Sequence, residues 1–233
     1  MFDEKLFTYD EEKHLGYYNG ELVPSVTQLV DLVYPMDENI PVDRIQNAAN
    51  NGSELHEALL TINTMFDNPK QFGKQLEETT TFIQGVNVFK QELHNYLSLL
   101  KVYGLRPFDY ENLIFLLDEN NELICYGHYD CVMQATKDLI VGEKTLFREN
   151  MLYLVDYKRT SAFNRQKVGL QTSIYSLAHE QMSKNYITNT YGIWFNEGIK
   201  LIPLIRQDNA FIITLCKKLK QVWRNKQGEV NDK

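Results

Sequence analysis

The chain has 233 residues, of which 43% are hydrophobic and 24% are charged. These fractions are typical of a globular protein, and the length suits one domain, or one domain with a helical attachment. No apolar run approaches the ~18 residues that a membrane-spanning helix needs, so we expect no contact with a membrane. The formal net charge of −7 argues against a protein that coats nucleic acid through a uniformly basic surface.

The charge is distributed unevenly along the chain. The first residues, MFDEKLFTYDEEK, are acidic and contain no apolar core, so we expect no secretory signal and a cytoplasmic location. The segment KKLKQVWRNK, 217–226, instead carries five cations in ten residues. A local basic face of this kind can contact phosphates although the total charge is negative.

Three cysteines, Cys125, Cys131 and Cys216, fit neither a disulfide framework nor a zinc ribbon, because their number is odd and their spacing is irregular. We therefore expect reduced thiols that are packed in the interior.

A hairpin and a short helix are predicted near the N-terminus. In YYNGELV, the pair Asn19–Gly20 separates two strand-like runs, which is a strong hairpin signal. Ser25 can then cap a helix, because apolar residues follow at helical spacing: Val26, Leu29, Val30 and Val33.

Two longer helices are predicted next. The first covers 43–65, is interrupted at Asn50–Asn51–Gly52, and restarts at Ser53. The second is a periodic segment over 77–102 that ends at Gly104. Residues 1–104 are therefore expected to be mostly helical.

The pattern changes to strands after Gly104. ENLIFLLDENNELICYGHYDCVMQA predicts two strands joined by the polar turn DENN, and MLYLVDYKRT predicts a third. An amphipathic helix follows in QKVGLQTSIYSLAHEQM, then strands in NTYGIWF and IKLIPLI, then a helix over 208–226. This order predicts an α/β fold, in which a mixed sheet is flanked by helices, with 105–233 as the α/β core of a single domain, 1–233.

The stretch YLVDYKRTS, 153–161, ends a hydrophobic strand with an acid and a lysine. Because side chains at i and i+2 of a strand point to the same side, Asp156 and Lys158 should lie together. The same D/E-x-K spacing at Asp3/Lys5 and Glu11/Lys13 lies in an acidic, solvated segment and carries no meaning. A buried charge requires a partner or a metal. Asp156 and Lys158 could therefore form an ordinary ion pair, or they could be part of a catalytic site.

Other polar residues interrupt apolar elements. His56 lies on a helix among leucines, Asp130 lies in the apolar run ICYGHYDCVM, and Gln171 and Tyr175 share a helix face. Each alone has an ordinary structural explanation as a core, turn or packing residue. If strands 123–135 and 151–157 are neighbours, however, Asp130 converges with the acid of the third strand.

Two converging carboxylates would bind a proton or a cation, and oxygen ligands suit Mg²⁺ or Mn²⁺. A nitrogen of His56 could complete the coordination sphere. Lys158 could orient a metal-activated water or stabilise the negative charge that develops on a phosphoryl oxygen. This set of groups is suited to the hydrolysis of phosphodiesters.

The ordered motifs VPSVTQLV, GSELHEAL, GHYDCVM, LVDYKRTS and QTSIY resemble those of the PD-(D/E)XK nuclease superfamily. The branch they resemble is the RecB-like one, which includes phage-type exonucleases, mitochondrial genome-maintenance exonucleases and CRISPR-associated adaptation nucleases. The resemblance runs from about residue 23 to residue 196. It implies a restriction-endonuclease-like core with a helical N-terminal part.

The resemblance also implies roles for matching positions. The metal, Mg²⁺ or Mn²⁺, would be held by His56, Asp130, Asp156 and the carbonyl of Tyr157. Lys158 would assist the attacking water, and Glu111 matches an acid on the preceding strand of some members.

The substrate side of the predicted site rests partly on the resemblance. Gln171 and Tyr175 match the Q-x-x-x-Y helix motif, which shapes the catalytic site and contacts the substrate strand. Arg159 and Arg165 are predicted as phosphate contacts from their charge and position alone, and solvated charges are an equal alternative for them.

These observations lead to a metal-dependent DNA nuclease, with an exonuclease as the expected class. Phage or mobile-element recombination, replication or end processing is the expected setting, with a recombination or replication protein as a possible partner. The cysteines are not placed for the iron–sulfur cluster of several relatives, so none is expected. The alternatives are a catalytically silent protein that binds nucleic acid or a protein partner on the same fold, and a purely structural ion pair. The presence of His56, Asp130, Asp156 and Lys158 together favours the enzyme.

Overall fold

The structure is a computed structural model that describes residues 2–35 and 41–231. After a 3₁₀ turn, the described helices are α1 (Val26–Val33), α2 (Val42–Asn63), α3 (Phe72–Gln84), α4 (Lys90–Tyr103), α5 (Arg165–Ser183) and α6 (Asn209–Asn231). The strands are β1 (Phe7–Asp10), β2 (Leu15–Tyr18), β3 (Glu21–Val23), β4 (Leu105–Tyr110), β5 (Leu113–Leu117), β6 (Leu123–His128), β7 (Cys131–Ala135), β8 (Leu139–Val141), β9 (Lys144–Phe147), β10 (Leu152–Lys158), β11 (Ile187–Phe195) and β12 (Ile199–Pro203).

The main sheet has five strands in the order β12-β11-β10-β7-β4. β10 and β11 are parallel and are joined through α5, whereas the other neighbours are antiparallel. One face of the sheet packs against α2, α3 and α4, and the other face packs against α1, α5 and α6. The predicted fold class, a mixed sheet flanked by helices, is confirmed.

β10 lies at the centre of this sheet and is buried on both faces. Tyr153, Val155 and Tyr157 enter the core on the side of α2 and α4, whereas Leu152 and Leu154 enter the core on the side of α5. Burial on both faces explains why the strand is almost continuously apolar in sequence. It also means that Asp156, which continues the α5 side, lies within the protein interior.

The predicted N-terminal hairpin and helix cap are present. Asn19 and Gly20 both have positive φ values, 51° and 80°, and connect β2 to β3. The Ser25 side chain accepts the N–H of Gln28, and the Gln28 side chain accepts the N–H of Ser25, so α1 begins with a capping box.

Two helix predictions are wrong in their boundaries. α2 continues through Asn50–Asn51–Gly52, because the packing of its buried face outweighs the low helix propensity of these three residues. The predicted helix over 77–102 is instead divided into α3 and α4, with Phe89 in the left-handed region at φ 57°. The break lets α3 fold back on α4, so that Ile83 and Leu93 enter the same core.

The predicted continuous strand 123–135 is also wrong. It divides at Tyr129–Asp130 into β6, which pairs with β5, and β7, which joins the main sheet. The condition for the convergence of Asp130 and Asp156, that this segment neighbours the third predicted strand, is met because β7 pairs with β10. Four further strands, β1, β4, β8 and β9, were not predicted.

The remaining general predictions concern the cysteines and membranes. All three cysteines are buried free thiols. Among the helices of 2–35 and 41–231, none combines the length and the apolar character that crossing a bilayer requires.

Candidate metal centre

The bend between β6 and β7 brings Asp130 to the end of β10. The antiparallel register pairs Cys131 with Val155, so Asp130 lies opposite Asp156, one residue beyond the last pair. The backbone N–H of Tyr157 donates to Asp130 Oδ2 at 2.5 Å. This hydrogen bond ties the bend to the strand and fixes the direction of the Asp130 carboxylate.

His56 reaches the same place from α2. Its Nδ1 lies 3.4 Å from Asp130 Oδ1, and its Nε2 lies 3.2 Å from the carbonyl oxygen of Tyr157. The tautomer with a proton on Nε2 donates to that carbonyl and leaves the lone pair of Nδ1 facing the carboxylate. Metal-binding histidines commonly use one ring nitrogen as ligand and the other as donor to a backbone carbonyl.

Glu111 completes a group of three ligands. It follows β4 with a left-handed backbone, φ 53°, and its N–H donates to the Asp130 carbonyl at 3.2 Å. One ligand atom from each of His56, Glu111 and Asp130 lies within 4.8 Å of the others. Burial and the nearby charge of Asp130 raise the pKa of Glu111 to about 7, while His56 opposes the rise.

Asp156 and Lys158 lie beside this group as an ion pair. Lys158 Nζ is 2.6 Å from Asp156 Oδ2, and Asp156 is only 2% exposed. Burial raises the pKa of Asp156, Lys158 opposes the rise, and Asp130 adds to it. Burial alone would lower the pKa of Lys158, but the charges of Asp156 and Asp130 outweigh it and raise the pKa.

The set of ligands that the structure brings together shares only His56 and Asp130 with the predicted ligand set. Glu111 joins His56 and Asp130, whereas Asp156 is engaged with Lys158 and the carbonyl of Tyr157 faces His56. Despite its 2.6 Å contact with the lysine, Asp156 Oδ2 has no partner with hydrogen-bond geometry among the described residues. Lys158 nevertheless supplies the positive charge that this buried carboxylate requires.

The chemistry of these groups fits Mg²⁺ or Mn²⁺. Carboxylate oxygens are the preferred ligands of both ions, and one imidazole nitrogen is readily accommodated by Mn²⁺. Beyond burial, the negative charge of Asp130 raises the pKa values of both Glu111 and Asp156, and a bound cation would offset that charge.

Metal binding is expected to strengthen as the pH rises through 7. In the folded protein Glu111 keeps its proton up to about pH 7, whereas the unfolded chain loses it near 4.5. Glu111 therefore stabilises the metal-free fold below pH 4.5, and that contribution is lost as the pH rises through 7. A metal ion competes with this proton, so the apparent Mn²⁺ affinity should increase roughly tenfold between about pH 6 and about pH 8.

Calorimetric titration with Mn²⁺ across this pH range measures the effect. The matched variant is Glu111→Gln, which cannot titrate and should lose most of the pH dependence. An affinity of the unsubstituted protein that stays constant over the range would exclude Glu111 as a ligand.

Gln171 and Tyr175 lie on α5, facing the carboxylates. Gln171 Nε2 donates to the hydroxyl of Tyr175 at 3.0 Å, and the tyrosine ring is buried. Burial raises the pKa of Tyr175, and the charges of Asp156 and Asp130 contribute to the rise. The predicted proximity of this helix motif to the acids is therefore present in the structure.

The glycine of GHYD lets this tyrosine approach the sheet. A Cβ at Gly127 would lie 2.8 Å from Tyr175 Cε1 and 3.1 Å from Val26 Cγ2, both closer than normal contacts. Gly127→Ala is therefore expected to destabilise the fold by roughly 1–3 kcal/mol through overpacking. Denaturant unfolding measures this, with Gly73→Ala as the control, because no atom lies within 4 Å of its added Cβ. Equal stability of the two variants would contradict the close approach.

The two predicted phosphate contacts lie away from the three ligands. The Arg159 guanidinium is 3.5 Å from Glu92 Oε1 and stacks over the ring of Phe89, 5.2 Å from its centroid. It lines a polar cleft of about 410 Å³ that begins one residue after Lys158. Arg165 begins α5 and lines a separate cavity of about 480 Å³, whose walls are mostly apolar.

One buried network beside Asp130 was not predicted. The hydroxyl of Tyr129 donates to Asp109 Oδ2 at 2.6 Å and lies 3.3 Å from His179 Nδ1. The network holds the bend on which Asp130 lies. Its only sequence signal is the position of Tyr129 next to Asp130, because its partners come from distant elements.

Comparisons with known proteins do not assign a family. No family model matches the chain, and no curated protein matches it. Among solved structures, one described as "Crystal structure of SSO0001" matches with a TM-score of 0.34 and 10% sequence identity. The match covers 75% of this chain and 85% of that one.

Proposed function

We propose that this protein is a metal-dependent nuclease that hydrolyses phosphodiester bonds in DNA, with exonuclease action as the expected mode. The observation that carries the proposal is the joint position of two groups at the end of β10. His56, Glu111 and Asp130 offer three ligands within 4.8 Å, and the Asp156–Lys158 pair lies beside them. An isolated structural ion pair would not require the first group.

Each residue has a distinct role in this proposal. His56, Glu111 and Asp130 hold the ion, and Asp156 adds an oxygen on the neighbouring side. The chemistry that Mg²⁺ or Mn²⁺ supplies there is a lower pKa of a coordinated water and compensation of charge on a phosphoryl oxygen.

Lys158 acts as a cation rather than as a base. Its raised pKa means that the ammonium group keeps its protons at neutral pH. It can therefore donate a hydrogen bond to the negative charge that develops on the phosphoryl group, or orient the attacking water through its N–H groups. An ammonium group that keeps its protons suits these two roles better than proton abstraction.

Gln171 and Tyr175 shape the wall on the side of α5. The hydrogen bond between them fixes both side chains, and the amide oxygen of Gln171 is left available to a substrate group. We propose that this wall contacts the substrate strand. The wider setting, phage or mobile-element recombination, replication or end processing with a protein partner, is part of the same proposal and rests on the motif resemblance.

A catalytically silent binding protein is the second candidate, and one observation favours it. Three cations of the basic segment are used within the fold: Lys217 pairs with Asp118 and Glu119, Lys220 donates to the Leu123 carbonyl, and Arg224 pairs with Glu21. These pairs reduce the positive surface that the segment offers to phosphates. A protein partner would not need that surface.

The experiment that tests the proposal is a cleavage assay with end-labelled single- and double-stranded DNA. The purified protein is incubated with Mg²⁺, with Mn²⁺ and with EDTA, and a matched RNA substrate runs alongside. Cleavage of DNA that requires the metal supports the nuclease, and the ladder pattern gives the polarity. Mn²⁺ binding in the calorimetric titration without cleavage of any substrate supports the silent protein, and the absence of Mn²⁺ binding contradicts the nuclease.

A further inference from the structure

A closed ring of buried hydrogen bonds joins α2, α4 and β10 on the side of the sheet from which His56 reaches the candidate metal centre. The amide of Asn63 donates to the hydroxyl of Tyr157 at 3.2 Å, and the hydroxyl of Tyr96 donates to Asn63 Oδ1 at 2.7 Å. The two tyrosine hydroxyls are 2.7 Å apart. Because the Tyr96 proton is used toward Asn63, Tyr157 is the donor between the two hydroxyls, and each member donates to the next.

The ring lies in an apolar core, where burying its polar groups costs free energy unless every hydrogen bond of the ring is formed. Asn63, Tyr96 and Tyr157 are all buried, and their neighbours include Leu59 and Leu100. Loss of one member leaves the other two with unsatisfied polar atoms. Phenylalanine and leucine side chains could fill the same space without this requirement, so packing alone does not account for the polar groups.

Tyr157 connects this ring to the metal ligands through its backbone. Its N–H donates to Asp130 Oδ2, and its carbonyl oxygen lies 3.2 Å from His56 Nε2. A small displacement of this one residue would therefore move two of the three candidate ligands. The Tyr157 side chain can oppose this displacement, because its hydroxyl is held in the ring of hydrogen bonds.

The same helix contacts both ends of Tyr157. His56 and Asn63 are seven residues apart on α2, which is about two helical turns, so they lie on one face. His56 contacts the backbone of Tyr157, and Asn63 contacts its hydroxyl. Tyr96 adds a second helix, α4, to the attachment.

We infer that Asn63 and Tyr96 are positioning residues, which hold Tyr157 so that Asp130 and His56 are presented to the metal at the correct separation. They touch neither metal nor substrate and act through the hydroxyl of Tyr157. The inference rests on the proposed function, because it concerns the geometry of the same metal site. Nothing in the sequence motifs assigns a role to either residue.

The test compares two tyrosines of the same strand. Tyr157→Phe removes the hydroxyl from the ring, and Tyr96→Phe is the second variant that opens it. Tyr153→Phe is the matched control, because Tyr153 is equally buried on the same face of β10 and its hydroxyl accepts the Arg148 N–H at 2.8 Å, away from the metal centre. The readouts are the Mn²⁺ dissociation constant, from electron paramagnetic resonance, and the thermal midpoint of each variant.

We expect Tyr157→Phe and Tyr96→Phe to weaken Mn²⁺ binding about tenfold, the lower end of the range for outer partners of metal ligands. Tyr153→Phe should lower the thermal midpoint similarly and leave the Mn²⁺ affinity unchanged. Affinities of the ring variants within twofold of the unsubstituted protein would overturn the inference, and so would an equal weakening in the control. If the unsubstituted protein binds no Mn²⁺, the proposed function fails together with the inference.

Discussion

Replacing Asp130 by asparagine is expected to remove metal binding and cleavage together. Asp130 is the residue through which the candidate centre is assembled: it accepts the Tyr157 N–H and faces His56 Nδ1 at 3.4 Å. Asparagine has almost the same shape and can still accept the N–H, but it carries no charge. Changes in outer partners of metal ligands weaken binding about 10- to 100-fold, so loss of a direct ligand should exceed about 100-fold.

The stability of the same variant separates a lost ligand from a lost fold. The negative charge of Asp130 raises the pKa of both Glu111 and Asp156, which means that it destabilises their ionised forms. Its removal relieves that repulsion, so the metal-free thermal midpoint should not fall by more than a few degrees. The midpoint of the variant should, however, no longer rise when Mn²⁺ is added.

Asp118→Asn is the matched control for this prediction. Asp118 is another buried acid, 8% exposed, and it accepts the backbone N–H groups of Asn120 and Glu122 far from the centre. The control should keep both Mn²⁺ binding and cleavage. Retention of Mn²⁺ affinity by Asp130→Asn would show that the metal, if bound, lies elsewhere.

The sequence predicts the parts of the site that lie on β10 and α5, because in these elements the local residue pattern favours the same secondary structure that the fold adopts. β10 is a nearly continuous apolar run, so its position and the shared side of Asp156 and Lys158 follow from strand periodicity. α5 is a long helix whose i, i+4 spacing places Gln171 beside Tyr175. These elements need no knowledge of distant partners.

The position of Glu111 in the ligand group could not be predicted from local sequence in the same way. The strand before Glu111, β4, contains Pro107, which weakens a strand prediction, and the structure places β4 at the edge of the sheet, where proline is tolerated. Glu111 then adopts a left-handed backbone that bulky residues rarely use. That conformation is held by its hydrogen bond to the Asp130 carbonyl, a contact between residues of different elements.

The division between β6 and β7 has a similar cause. The run ICYGHYDCVM is strand-forming apart from Gly127 and Asp130, and its periodicity does not show that the strand divides there. The break arises because the two halves pair with different partners, β5 and β10. Asp130 lies at that break, which lets its carboxylate turn toward β10.

Several features that cost folding free energy lie together at the end of β10. The charge of Asp130 raises the pKa values of Glu111 and Asp156, Glu111 has a positive φ, and the Asp156–Lys158 pair lies in the interior. Natural proteins tend to keep such features where function requires them, and a purely structural ion pair would need neither the additional carboxylates nor the positive φ of Glu111. This coincidence adds to the joint position of the three ligands and the ion pair as a reason to propose a catalytic role for Asp156 and Lys158.

Replacing Lys158 by methionine is expected to separate catalysis from metal binding. Methionine keeps most of the apolar stem but removes the cation that lies 2.6 Å from Asp156 Oδ2. If Lys158 stabilises charge in the transition state, cleavage should fall about 100- to 1,000-fold, as when a single donor to a developing negative charge is removed. Mn²⁺ affinity should stay within about tenfold of the original near pH 8, because the direct ligands remain.

The direction of the pKa change strengthens this test. Lys158 opposes the rise in the pKa of Asp156, so its removal raises that pKa further and shifts the loss of the Asp156 proton to higher pH. Lys167→Met is the matched control, since Lys167 forms an ion pair of the same length, 2.6 Å, with Asp31 outside the centre. Loss of cleavage in Lys158→Met but not in the control identifies Lys158 as part of the catalytic machinery. Full cleavage by Lys158→Met would reduce it to the counter-ion of a buried acid.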